Sequence, residues 1–182
     1  MKGQYKLLHN LDYEKYVGDE EVEIAKIVDS TSGSDVMYIY YDRNLFRNQG
    51  YHTCVGSFEC NDGTVLPLAY IDDLHRACLF EHRDLFLCLM LHEMGHFRNG
   101  DLDDEQSKTT DTVKDDRMEN ILNGRVQEAE RKADAFAISC VGKNTFMRTM
   151  DYLINMRKQR GDKSASLAIK EFELRKKAAQ RI

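Results

Sequence analysis

Tryptophan is absent from this chain and proline occurs once, at Pro67. No internal repeat and no low-complexity tract stands out, so nothing in the composition marks a linker between separate units. Long apolar runs are missing too. The longest, 85–91, is far shorter than the roughly 20 residues a bilayer requires, which argues against a membrane-inserted protein. The opening residues, Met1-Lys2-Gly3-Gln4-Tyr5, lack the apolar stretch of a secretory signal. Cysteine occurs five times, at 54, 60, 78, 88 and 140, but the number is odd and no C-x-x-C pair occurs. That pattern speaks against a disulfide framework and for a reduced, cytoplasmic protein. An excess of positive charge is also missing: the net charge of −5 argues against a main role in coating nucleic acid.

What remains is an ordinary soluble composition, 42% apolar and 31% charged over 182 residues. One domain, 1–182, can bury its own core at that length. Residues 12–29 carry helix-like spacing, broken near Gly18, and Ser30 to Ser34 reads as a turn. Val36 to Tyr41, 52–59 and 64–71 read as strands, the last two joined by an Asn61-Asp62-Gly63 turn. The expected fold is α+β: a small antiparallel sheet with an apolar helix over about 83–98 and further C-terminal helices over about 117–140 and 143–158. Residues 101–116 hold seven acidic side chains against two lysines and read as a solvated, mobile loop. The end, 157–182, has nine basic residues against three acidic ones. It reads as a docked basic helix over about 164–182, with Ala168, Phe172, Ala179 and Ile182 on its apolar face.

The apolar helix carries the chemistry. His92-Glu93-Met94-Gly95-His96 is an H-E-x-x-H motif, and on a helix its histidines at i and i+4 project from one face towards one point. With 6 histidines and 13 glutamates in the chain, roughly 0.01–0.02 such matches arise by accident. Zinc in a catalytic site takes three protein ligands and leaves a fourth position for water. Glu130 can supply the third ligand, with Glu119 and Glu128 as rivals. Asp134, one turn beyond Glu130, is placed to orient an imidazole, that of His92 first. One zinc ion on His92, His96 and Glu130 would bring water towards neutral pKa, and Glu93 would act as general base on that water. A second set, His75, Cys78 and His82, has spacing that could bind metal if helical.

The segments Leu91 to Asp101 and Glu130 to Ala137 resemble the two signature stretches of gluzincin zinc metallopeptidases, particularly the CAAX prenyl endopeptidase type and the ImmA/IrrE-like proteases. The resemblance is specific over about 85–101 and 128–142. It implies a zincin-type active-site helix, zinc on the two histidines and the glutamate, a catalytic Glu93, and Asp134 holding His92. It also implies an upstream edge strand that pairs with extended substrate, for which 64–71 is the candidate. Transmembrane helices and the helix-turn-helix of some relatives are lacking. No His or Tyr can be assigned to the oxyanion; Arg175 and Arg181 fall where some relatives carry a late arginine.

Three functional readings follow. The first is a zinc peptidase acting on a peptide or protein substrate. The second is a zinc-binding regulator of ImmA/IrrE type that cleaves or binds one transcriptional repressor. The third is a metal-free helical binding module whose motif is accidental.

Overall fold

The computed structural model describes residues 4–9, 22–41, 53–101, 110–160 and 165–181. Five strands form one sheet: β1 (Tyr5–His9), β2 (Val22–Asp29), β3 (Asp35–Tyr41), β4 (Thr53–Glu59) and β5 (Val65–Ile71). Six helices follow among the described residues: α1 (Asp73–Glu81), α2 (Arg83–Asn99), α3 (Thr110–Leu122), α4 (Glu128–Val141), α5 (Lys143–Arg160) and α6 (Ala165–Ala179). The fold is α+β, as expected. No helix among these residues is long and apolar enough to cross a membrane.

Strand order is β1-β2-β3-β5-β4. Three neighbouring pairs are antiparallel, but β3 and β5 run parallel, with Tyr38 opposite Leu68 and Tyr41 opposite Ile71. The sheet is therefore mixed where a wholly antiparallel one was expected. The tight hairpin at Asn61 to Thr64 folds β4 outward, so β5 pairs on both sides. β5, the expected substrate-pairing edge, is interior; β4 takes that edge among the described residues.

Residues 22–29 are a strand, not the second half of a helix. The reason is visible in the pairing of β2 with β3, which shifts register between Glu23 and Ala25 and again between Ile27 and Val28. Each irregularity breaks the two-residue alternation. The buried positions thus become 22, 24, 25, 27 and 28, which imitates helical spacing. Residues 12–20 lie outside the described residues. β1 carried no expectation.

One face of the sheet supplies Ile24, Ile27, Met37, Ile39, Tyr41, Ala69 and Ile71 to a core shared with Leu85, Phe86, Leu89 and Met90 of α2. Burying each such side chain contributes roughly 1.5–3 kcal/mol. That is why the motif helix lies against the sheet: its leading residues are apolar on nearly every side. Gly100 ends it in the left-handed conformation, φ 74°, its N–H returning to His96 and Phe97. The amino end of the chain also touches α2. Arg98 donates to the Tyr5 hydroxyl at 3.0 Å and lies over the Phe136 ring of α4 at 5.1 Å.

Two boundaries differ from expectation. Residues 110–116, read as loop, are the start of α3, while 102–109 lie outside the described residues. The expected helix over 117–140 is two helices, because Gly124 adopts φ +72° and the chain turns before α4 starts. α5 and α6 match the expected C-terminal helices. Ala179 is buried and Phe172 packs on the core as expected, Ala168 is half-buried, and Ile182 lies outside the described residues. α6 also buries Glu171 and Arg175, so its basic character is not wholly a solvated face.

Candidate metal centre

The crossing of α2 and α4 sets the geometry. A Cβ built on Gly95 would sit 2.8 Å from the Cα of Ala133. The two backbones can approach this closely only because one residue has no side chain and the other a methyl. His92 and His96 flank Gly95 by three and one positions, as Glu130 and Asp134 flank Ala133. The closest point of the crossing therefore stacks the two pairs against each other.

His92, His96 and Glu130 come together there, with one ligating atom from each lying within 4.8 Å of the others. The two imidazole Nε2 atoms are 3.1 Å apart. Glu130 Oε2 is 3.4 Å from His92 Nε2, and its Oε1 is 3.8 Å from His96 Nε2. Of the rival acids, Glu119 is exposed and Glu128 is an exposed partner of Arg131 at 2.6 Å. Neither is brought to the pair.

Each histidine has a carboxylate behind it. His92 Nδ1 is 2.9 Å from Asp134 Oδ1, and His96 Nδ1 is 3.0 Å from Asp101 Oδ2. Carboxylates accept, so each Nδ1 donates its hydrogen and each Nε2 turns a lone pair towards the other. Arg175 Nη2 also lies 3.1 Å from His92 Nδ1, but a nitrogen that donates to Asp134 cannot accept from arginine. The shorter, charge-assisted bond to Asp134 decides the tautomer. In that tautomer the two Nε2 atoms and the Glu130 carboxylate face one another, an arrangement that a cation would satisfy once it displaces the protons from both rings. Glu130 Oε2 is buried and faces both His92 Nε2 at 3.4 Å and the Arg175 guanidinium at 3.0 Å, so it is held by charge among cationic groups.

Arg175, named in the sequence only with Arg181 as a late arginine, proves to be a central residue whose partners the sequence did not reveal. Only 5% exposed, it puts Nε 3.0 Å from Asp134 Oδ2 and Nη1 3.0 Å from Glu130 Oε2. Arg117 of α3 is half exposed; its Nε and Nη2 each donate at 3.0 Å to buried Glu171, and Nη2 is 3.6 Å from Glu130 Oε1. Four carboxylates (101, 130, 134 and 171) thus face two guanidiniums, so carboxylates outnumber arginines around the histidine pair. Burial alone would raise the Glu130 and Asp134 pKa values. Arg175 first, with His92 and, for Glu130, Arg117, instead holds both below their ordinary range. His92 is pushed up to about 9: burial and Arg175 act against its charge, but Asp134 and Glu130 prevail. The cluster favours added positive charge.

Glu93 is half-buried beside His92 and makes no hydrogen bond or ion pair with a described residue. The second candidate set is not assembled. His75 Nδ1 is 2.8 Å from Asp72, while the His82 ring packs on Tyr152 at 5.2 Å. Arg181 is exposed and takes no part. Asp101 was legible only as one of a run of acids, and Arg117 and Glu171 carried no signal beyond charge. Compared with family models, with curated proteins and with solved structures, the chain matches none.

Proposed function

We propose that this protein is a zinc-dependent peptidase, with His92, His96 and Glu130 as the residues that hold the ion. The observation that carries the reading is the convergence of the two Nε2 atoms and the Glu130 carboxylate. Nitrogen and carboxylate donors in this number suit zinc and leave a position for solvent. Bound there, zinc would act as a Lewis acid and lower the pKa of water towards about 7.

The remaining work belongs to the chain. Asp134 and Asp101 keep both imidazoles in one tautomer and one orientation. Glu93, next to His92 and otherwise unengaged, takes the proton of the attacking water and gives it to the departing amine. Arg175 neutralises Glu130 and Asp134 from behind. A reducing, cytoplasmic setting goes with this reading, supported by the free thiols of Cys60, Cys78, Cys88 and Cys140.

The test pairs metal analysis with turnover. Wild type should carry one zinc per chain, and His96→Ala and Glu130→Ala should lose it. Glu93→Gln should keep the zinc yet cleave a mixed peptide digest at least about 100-fold more slowly. A wild type that binds no zinc, or a Glu93→Gln variant that cleaves at the wild-type rate, overturns the proposal. Retained biological effect in Glu93→Gln would favour a regulator that only binds its target.

A further inference from the structure

Hydrolysis through this site has an unfilled role. When the water oxygen bonds to the carbonyl carbon, the C=O π pair moves onto oxygen and the water proton passes to Glu93. The new negative oxygen needs a donor aimed at it, and such donors are among the strongest single contributions to rate. On collapse the C–N bond breaks, its electron pair leaves with nitrogen, and Glu93 returns the proton. No histidine or tyrosine stands beside the three converging residues to serve that oxygen, among the contacts of the described residues.

Two arginines do stand there, and they differ in kind. Arg175 is 5% exposed and committed on three nitrogens to Asp134 and Glu130. Its Nη2 also lies 3.3 Å from His92 Nε2, so every one of its nitrogens is already engaged within the ligand set. The Arg117 side chain is 46% exposed and approaches Glu130 from the other partner helix, α3. Its Nε and Nη2 are spent on Glu171, but Nη1 bonds to no described residue. A guanidinium clamped by two parallel bonds has little freedom left to lose when it meets a third acceptor. Glu171 is itself 6% exposed, so the clamp is anchored in the interior while the Arg117 side chain as a whole stays 46% exposed.

We propose that Arg117 is the oxyanion-stabilising catalytic residue of this site and that Glu171 is its positioning residue. The assignment rests on the peptidase reading, and its test must separate the two. Arg117→Ala and Arg117→Lys are compared with wild type and Glu93→Gln, using the peptide that wild type cuts fastest in a mixed digest and its tetrahedral phosphinic analogue. Zinc stoichiometry and far-ultraviolet circular dichroism should be unchanged in both arginine variants. For Arg117→Ala, kcat should fall about 100-fold with KM within about threefold. Calorimetric affinity for the phosphinic analogue should fall in parallel with kcat/KM, since both report the tetrahedral state. Arg117→Lys keeps a charge without the fork, so it should lose about tenfold and preserve folding if the alanine variant does not. Added guanidinium ion should restore part of the Arg117→Ala rate and none of the Glu93→Gln rate. Glu171→Gln should lower kcat less than Arg117→Ala.

Cleavage by wild type that is abolished in Glu93→Gln yet normal in both arginine variants would remove the role of Arg117 alone. Loss of activity matched by loss of zinc, or phosphinic affinity that is unchanged, would do the same. A wild type that cleaves nothing removes the peptidase reading and this assignment with it.

Discussion

Arg175 reaches from the last helix to Asp134, 41 residues earlier, and binds the one carboxylate through both Nε and Nη2. The same guanidinium touches Glu130, so two buried carboxylates share one counter-ion. Removing one member of such a cluster strands the others. In metal-free protein, Arg175→Met should cost about 3–5 kcal/mol in urea denaturation. The pH dependence should also change sign. With Arg175 present, both carboxylate pKa values are depressed, so their stabilisation is full above the ordinary range and lost as pH falls through the lowered values. Without it, burial raises them, and acidification from pH 7 to 5 should stabilise the variant. A variant as stable as wild type, with the same pH slope, would contradict this account.

Asp101 holds His96 as Asp134 holds His92. Asp101→Asn removes a charged acceptor while leaving the shape. Zinc affinity, read by competition with a chelating dye, should fall about 10- to 100-fold. An unchanged affinity would mean that the His96 ring needs no such partner.

Gly95→Ala tests the helix crossing. The added methyl meets backbone, 2.8 Å from the Ala133 Cα, and backbone cannot rotate away. Overpacking costs about 1–3 kcal/mol, against a gain of about 1 kcal/mol in helix propensity. A lower melting temperature and weaker zinc binding should appear together, because the ligands sit on both sides of the contact. A more stable variant with intact zinc affinity would show that the helices can separate freely.

The thiols of Cys78 and Cys88 are each pushed up to about 12, in both cases by burial. Raised values keep them neutral; that stabilisation is full below the ordinary thiol pKa of 9.0 and is lost as pH climbs towards about 12. At pH 8, maleimide labelling followed by peptide mapping should find Cys60 modified within minutes. Cys78 and Cys88 should react only after unfolding. Rapid labelling of Cys88 in the native protein would mean that α2 opens from the core.

The residues of the site that could be read in advance share a local pattern. His92, His96, Glu130 and Asp134 come in pairs four apart, and one helical turn is enough to relate them. The hydrogen bonds of Arg175, Arg117 and Glu171 span 41 to 83 residues of chain. No periodicity reports contacts at that range, and their charges fit a solvated face equally well. The sheet shows the same division. Val36 to Tyr41 was legible from its β-branched and aromatic residues, whereas β2 lost its alternation to two register shifts. Gly124 was visible as a glycine, but its left-handed backbone, which separates α3 from α4, was not.

Tyr5, Arg98 and Phe136 tie together the outermost strand, the tail of α2 and the middle of α4. β1 is thus a buttress for a crossing formed by residues some ninety and more positions later. Trimming that strand would take away a brace from the pocket without deleting a single group that lines it. The sheet's edge, in this architecture, is part of how the centre keeps its shape.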